Sequence, residues 1–312
     1  MPVNRVRADV LEMGDEYQKA DYALQVRRYD LAIEIMRKVL STHPDNSVAF
    51  VTLARAYALK KDQQQALQAL QEALTLNPMY CYAHTLYGSL LKDMKRYAEA
   101  RQEYRSALEI DPASHLAHYL YGDLLFTIGK DISEAREHVE KALELEPQDA
   151  TYHLLLGHIL AKQKDLEGAE AEYRLALSLE PDDYRVLNGY GAHLLTERNN
   201  PREAFEFFRQ ALMRSPDNAN IRKNFLIALK AKHPLYSLFW NYDLLKRRSR
   251  PLAILFMLIV IALVRGLLEV GLQFPTLGPF MFLAECVLIL LMVYLIAINP
   301  IFNFLAKRGL IR

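Results

Sequence analysis

Residues 47–78 read SVAFVTLARAYALKKDQQQALQALQEALTLNP and contain two apolar patterns at helical spacing, with a polar break between them. Leu53 and Tyr57 mark the apolar side of the first pattern, and Ala66 and Leu70 mark that of the second. Residues three and four apart lie on one side of a helix, so each pattern predicts an amphipathic helix. The closing proline has a fixed φ and no N–H, so it is expected to end the second helix. The stretch therefore predicts a pair of helices.

The same pattern recurs along the first two-thirds of the chain, with steps of 34 or 35 residues. The prolines of this pattern are Pro44, Pro78, Pro112, Pro147, Pro181 and Pro216. The small residues of the first helix are Ala20, Ala54, Gly88, Gly122, Gly157 and Gly191. The first alanines of the second helix are Ala32, Ala66, Ala100, Ala135, Ala169 and Ala204. Small residues are needed where two helices cross closely. One pair cannot bury its apolar face alone, so the pairs are expected to stack as a solenoid.

The repeats resemble the tetratricopeptide repeat (TPR). That family has a large residue, Leu-Gly or Leu-Ala, and an aromatic residue or Leu on its first helix, then Ala, an aromatic residue, Ala and Pro on its second. The fifth period matches with His153, Leu156, Gly157, Leu160, Ala169, Tyr173, Ala176 and Pro181. The resemblance implies an all-α fold, a TPR-like α-solenoid of about six helix-pair repeats. Residues 1–232 would form this domain, with repeats over about 9–218 and a capping helix over about 219–231.

The resemblance also implies a concave face lined by the first helix of each repeat. Carried over position by position, its lining includes Arg55, Tyr82, Lys92, Asp93, Tyr119, Asp123, Phe126, His158, Lys162, Arg185 and Asn188. A mixture of charges and aromatic rings suits an extended peptide or a partner helix, so the predicted partner is a protein or peptide. The alternative for each of these residues is an ordinary solvated surface.

Charge and motifs argue against several functions. Residues 241–312 carry eight Lys/Arg and three Asp/Glu, which leaves 30 basic and 34 acidic residues in 1–240. Without a basic stripe, no nucleic acid partner is predicted. His84, His118 and His153 recur in register, but stacked helices lie ~8–10 Å apart, too far for successive histidines to share one ion. Half-buried, hydrogen-bonded histidines are expected instead. No phosphate loop, catalytic triad or zinc spacing is present, so no catalytic residue, metal, cofactor or enzyme activity is predicted.

The composition changes after residue 233. Residues 233–250 combine aromatic residues with a basic cluster, which is typical of a membrane–water interface. The predicted interfacial anchor consists of Trp240, Lys246, Arg247, Arg248 and Arg250.

Residues 251–312 predict a transmembrane hairpin of two helices, over about 252–272 and 279–299, with a basic C-terminal tail. Both open ends are basic and the turn is uncharged, so the positive-inside rule predicts an integral membrane protein with both termini cytoplasmic, as in a bacterial inner membrane. Arg265, Glu269 and Glu285 would lie within the membrane. Arg265 is expected to pair with Glu285, or with Glu269 at i, i+4, or these charges meet the transmembrane helix of a partner.

Together these features predict a membrane-anchored adaptor or scaffold. It would bind a protein or peptide on the concave face as a subunit or assembly factor of a membrane complex, with membrane lipids and other transmembrane subunits as further partners. Two alternatives stay open. The hairpin could make the key contacts, in an accessory transmembrane subunit of a transporter or respiratory complex, or the repeats could self-assemble into a scaffold.

Overall fold

The computed structural model describes residues 2–129, 131–273, 279–280, 282–284, 286–290 and 293. Every element in these ranges is an α-helix, so the predicted all-α, TPR-like solenoid class is confirmed. The chain divides into two compact units, Met1–Gln163 and Lys164–Arg312. This division falls inside the fifth repeat, whereas the change in composition had suggested a boundary after residue 232.

Unit 1 consists of four stacked helix pairs, in each of which the first helix packs on the second, followed by one further first helix. Its helices are α1 (Pro2–Gln25), α2 (Tyr29–Thr42), α3 (Ser47–Leu59), α4 (Gln63–Leu76), α5 (Cys81–Asp93), α6 (Tyr97–Ile110), α7 (His115–Ile128), α8 (Ile132–Leu145) and α9 (Ala150–Gln163).

Unit 2 continues the helix-pair plan along the sequence and then departs from it. Its helices are α10 (Leu166–Leu179), α11 (Tyr184–Thr196), α12 (Pro201–Arg214), α13 (Ala219–Ala231), α14 (Pro234–Arg248) and α15 (Arg250–Gln273). Helix α13 packs on α12, and α14 packs on both α13 and α15.

The small residues that recur on the first helices, here called the small-residue ladder, lie where paired helices cross. A Cβ atom on Gly88 would come within 2.8 Å of the Tyr104 ring, and one on Gly122 within 2.6 Å of Val139 Cγ2. Both distances are shorter than real Cβ contacts, so a larger residue at either site would force its neighbours to shift, in keeping with the small residues that the repeat pattern predicted. The first alanines of the second helices, here called the alanine ladder, face the same interface, and they are fully buried in both units.

The boundaries between consecutive repeats share the same local structure, in which one helix ends before the proline and the next is capped after it. The second helices end two residues before each proline of the ladder. The residue two positions after the proline then caps the following first helix in several repeats: Asn46 Oδ1 accepts the Ala49 N–H at 3.0 Å in unit 1, and Asn218 Oδ1 accepts the Ile221 N–H at 3.2 Å in unit 2. Such caps satisfy N–H groups that a helix leaves without partners.

The repeated histidines strengthen these boundaries in unit 1. In each, Nε2 donates to the carbonyl oxygen of the proline six residues earlier, at 3.0, 3.1 and 3.0 Å for His84, His118 and His153. The register of the histidines therefore has a structural cause, since each ring joins the start of one repeat to the end of the repeat before it.

Candidate partner-binding site

The first helices of unit 1 lie side by side. Helix α1 contacts α3, α3 contacts α5, α5 contacts α7, and α7 contacts α9. We call the surface they share the first-helix face. It carries nine of the eleven residues chosen from the sequence, which are Arg55, Tyr82, Lys92, Asp93, Tyr119, Asp123, Phe126, His158 and Lys162. Most of these side chains are half-buried, and Asp93 and Lys162 are exposed.

The charges on this face pair across neighbouring repeats. The ammonium group of Lys92 on α5 bonds the carboxylate of Asp123 on α7. Nη1 of Arg55 on α3 lies 3.0 Å from Oδ1 of Asp21 on α1. The sequence analysis had singled out Lys92, Asp123 and Arg55 but missed Asp21, which lies 34 residues before its partner.

Aromatic rings join α7 to α9. Tyr119 stacks on Tyr152 with ring centroids 4.6 Å apart, and Phe126 stacks on His158 at 6.3 Å. The Tyr152 hydroxyl is hydrogen-bonded to Nδ1 of His115 at 2.8 Å, and burial raises the pKa of Tyr152 to about 12. Tyr152 is buried and was not among the predicted site residues, because its position in the repeat is a packing position.

The remaining two predicted residues, Asn188 and Arg185, belong to unit 2. Asn188 lies on α11. Its side-chain oxygen accepts a hydrogen bond from Nδ2 of Asn224 at 3.0 Å, which links α11 to α13. Arg185 is bound by Asp183, the residue that caps its own helix. Both side chains are therefore held by partners within unit 2.

Unit 2 also has an open cavity of about 620 Å³ between α10, α11 and α12. Its walls include Glu167, Glu170, Arg174, Arg198 and Glu203. Nη2 of Arg198 bonds Glu170 at 2.6 Å, and Nη2 of Arg174 bonds the same carboxylate group at 2.7 Å. The charges of this cavity are thus largely balanced by one another.

The structure corrects the role assigned to Trp240. This side chain is only 3% exposed, and Nε1 donates to Oδ1 of Asn199 at 3.1 Å. Asn199 also donates to Asn241 at 2.9 Å, so α14 is fastened to the turn between α11 and α12. Trp240 is consequently a packing residue of unit 2 and is not available as an interfacial anchor.

The other anchor residues flank α15. Lys246 and Arg250 are exposed, whereas the side chains of Arg247 and Arg248 lie outside the described residues. The ring of Tyr242 on α14 packs against Phe256 on α15 with centroids 5.9 Å apart.

One helix among the described residues is long and apolar enough to cross a membrane. This is the Arg250–Leu267 part of α15, which has a mean hydropathy of 2.1 and is only 6% buried. Arg265 and Glu269 on α15 are exposed, and no ion pair joins them in the part of the chain that the structure describes. Glu285 and nine further positions of the second predicted transmembrane segment, 279–299, lie outside the described residues.

Stacked helix pairs with a shared first-helix face define an all-α helical-repeat protein. Models of the tetratricopeptide repeat family match residues 23–90, 82–114 and 129–180. These three segments therefore match the tetratricopeptide repeat family, whose members are generally non-enzymatic, protein-binding scaffolds. No curated protein matches the sequence.

Solved structures show the same fold. A chain of the APC/C hetero-tetramer Cut9-Hcn1 is 21% identical, with a TM-score of 0.60 over 67% of this chain and 41% of that chain. This protein thus spans about two fifths of the length of that relative. PilF of Pseudomonas aeruginosa is 20% identical (TM-score 0.57, 69% and 97% covered), and the type IV pilus biogenesis factor PilW is 20% identical (TM-score 0.58, 67% and 96% covered).

Proposed function

We propose that this protein is a membrane-tethered interaction scaffold. Its repeats bind a protein or peptide segment on the first-helix face, and α15 holds them at a bilayer as part of, or during assembly of, a membrane complex. The first-helix face offers aromatic rings and charges to a partner, which is the chemistry of peptide and helix recognition. Tethering raises the effective concentration of a captured partner near other membrane proteins.

The observation that carries the membrane part is the exposure of α15. Its 24 residues extend about 36 Å, enough for a hydrocarbon core of ~30 Å. Leu258 and Ile259 on this helix are 57% and 50% exposed, which is costly in water over so long a stretch. The flanking Lys246 and Arg250 favour a cytoplasmic start for the helix.

A second function, centred on α15, is favoured by its charges. Arg265 lies about 22 Å along the helix from Arg250, inside the apolar layer if Arg250 is at its edge. A charge at such depth costs roughly 2.5–3.5 kcal/mol, which a partner's transmembrane helix would reduce. In this alternative, α15 rather than the repeats makes the main contact with a membrane complex.

Two Lys substitutions on α15 test the tether. Leu258→Lys with Ile261→Lys should release the full-length protein from membranes on alkaline carbonate extraction, because each charge costs roughly 2.5–3.5 kcal/mol in the apolar layer. Gln102→Lys, on the exposed side of α6, is the control and should stay with the membrane. A wild-type protein in the soluble fraction contradicts membrane tethering, and a double variant that resists extraction contradicts the assignment of the tether to α15.

Purification of the tagged full-length protein in a mild detergent tests the scaffold role. Proteins bound to the wild type and to Phe126→Ala are compared by mass spectrometry. The scaffold role predicts that bound proteins are lost with Phe126→Ala and retained with Gln102→Lys. Loss with Arg265→Leu alone, and retention with Phe126→Ala, favours the function centred on α15.

A further inference from the structure

On the first-helix face of unit 1, neighbouring repeats meet at junctions between consecutive first helices. At two of these junctions, one side chain of the earlier helix contacts one side chain of the later helix. The earlier helix contributes Lys92 between α5 and α7, and Phe126 between α7 and α9. The later helix contributes Asp123 and His158, respectively. The first junction is closed by an ion pair, and the second by stacked rings 6.3 Å apart.

The junction between α3 and α5 is different. The two matching positions, 34 residues earlier, are occupied by Ala58 and Ser89. Neither side chain is long enough to reach across, and a pocket of about 70 Å³ lies between the helices. The pocket exists because the residues that close the next two junctions are replaced here by small ones.

The pocket has an apolar interior and a charged rim. Ala54, Leu70 and Leu90 are buried residues of its lining, and Arg55 and Asp93 are charged ones. Its volume is about half of the ~150 Å³ that accommodates benzene in a protein cavity. It is therefore suited to a branched aliphatic side chain and too small for an aromatic ring.

The charges at the rim are not balanced. Arg55 is bound to Asp21 at 3.0 Å. Asp93 is exposed, and its carboxylate has no hydrogen bond or ion pair with any residue that the structure describes. A partner that enters the pocket thus meets one negative charge without a counterion.

We propose that this pocket binds one aliphatic side chain of an extended peptide segment, and that a Lys or Arg of the same segment pairs with Asp93. Side chains two residues apart on an extended chain point the same way and are roughly 7 Å apart, so one segment can supply both groups. The inference rests on the proposed function and specifies the partner of the same face.

A positional-scanning library of nine-residue peptides, applied to the full-length protein in detergent, tests this. The wild type should select Val, Ile or Leu at one position and Lys or Arg close to it. Ala58→Met should fill the pocket and weaken the selected peptides by about tenfold or more, the equivalent of losing one buried aliphatic side chain. Asp93→Asn should remove only the basic preference, with a loss of roughly two- to fivefold.

Two further variants keep the result interpretable. Ala58→Lys with Ser89→Asp introduces at this junction the ion pair that Lys92 and Asp123 form at the next one. This double variant should abolish the aliphatic preference by closing the pocket with polar side chains. Gln102→Met, on exposed α6, should change neither preference. If the wild type selects peptides and Ala58→Met selects the same ones with equal affinity, the pocket assignment is overturned and the scaffold role stands. A wild type that selects no peptide overturns peptide binding and the pocket together.

Discussion

Repeats three (α5 and α6) and four (α7 and α8) have the same backbone plan but different chemistry at matched positions. Each has a glycine at its helix crossing and a histidine bound to the preceding proline carbonyl. The second helix offers Glu103 to the histidine of repeat three and His138 to that of repeat four. The comparison teaches that the repeat pattern specifies the path of the chain, while single substitutions within it determine the response to pH.

In repeat three the surroundings of the histidine favour its charged form. Nδ1 of His84 lies 2.7 Å from Oε2 of Glu103, while Nε2 donates to the Pro78 carbonyl at 3.0 Å. Both ring nitrogens face acceptors, an arrangement that favours the ring with a proton on each nitrogen. The hydrogen bond to Glu103 is the main cause that raises the pKa of His84. The contribution of this pair to stability is present below the pKa of unfolded histidine, ~6.5, and is lost as pH rises through the raised pKa.

In repeat four the partner ring, His138, favours its neutral form. Nδ1 of His118 lies 2.9 Å from Nδ1 of His138, so only one of these nitrogens carries a proton. Burial, and then the neighbouring His118, lower the pKa of His138, and Arg105 acts in the same direction against the opposing effect of Glu134. The contribution of the neutral His138 ring to stability is present above pH ~6.5 and is lost as pH falls toward the lowered pKa of His138.

The largest effect is expected from a methyl group at the helix crossing of repeat four. A Cβ on Gly122 would meet Val139 Cγ2 at 2.6 Å and the backbone oxygen of Ala135 at 3.0 Å. Overpacking costs about 1–3 kcal/mol, partly offset by the better helix propensity of alanine. Gly122→Ala should therefore lower the thermal unfolding midpoint of the full-length protein in detergent, by the equivalent of about 1–2 kcal/mol.

Gly14→Ala is the matched control for that substitution. Nothing lies within 4 Å of a Cβ at Gly14, on α1, so only helix propensity should act and the midpoint should stay or rise. If Gly122→Ala is as well tolerated as Gly14→Ala, the small-residue ladder does not set the distance between paired helices.

The next prediction converts the chemistry of repeat four into that of repeat three. His138→Glu should give His118 a carboxylate partner, as His84 has in Glu103. A hydrogen bond to a charged group stabilises by roughly 1.5–3 kcal/mol, and burial of the new carboxylate reduces the net gain to about 1 kcal/mol. Relative to the wild type, the variant should unfold at a higher temperature at pH 5.5 and lose this advantage at pH 8.

The reverse change in repeat three is its control. Glu103→Gln keeps the shape of the side chain and removes its charge, so it should destabilise at pH 5.5 and have little effect at pH 8. Stabilisation by His138→Glu that is greater at pH 8 than at pH 5.5 is incompatible with the assigned protonation of the two pairs.

The features that could be predicted from sequence are those that every repeat needs. Small residues such as Gly122 and Ala135 repeat at a nearly constant spacing because only small residues fit where two helices cross closely. Their spacing therefore predicts the helix pairs. The histidine contacts are less visible, because His84 and His118 occupy identical positions and differ only in partners 19 and 20 residues away. Comparison of matched second-helix positions could have found that difference.

The sequence predicted which residues belong to the site better than it predicted the contacts between them. Lys92, Asp123 and Phe126 were chosen one by one, whereas their contacts depend on pairs of positions in consecutive repeats. Trp240 was misassigned because aromatic residues beside basic ones are typical of an interface. Its burial depends on Asn199, 41 residues away, and no local pattern encodes that contact.

The smallest effect concerns the turn within each repeat. Gly129 provides a left-handed residue (φ 73°) in repeat four, whereas Lys95 adopts this conformation (φ 62°) in repeat three. A non-glycine residue is strained there by about 1–2 kcal/mol, and the greater flexibility of unfolded glycine offsets part of the gain from replacing it. Lys95→Gly should thus raise the unfolding midpoint by the equivalent of about 0.5 kcal/mol, and Gly129→Ala should lower it. If Lys95→Gly lowers the midpoint while Gly129→Ala leaves it unchanged, the two turns do not share one backbone requirement, and the repeats differ in their path as well as in their chemistry.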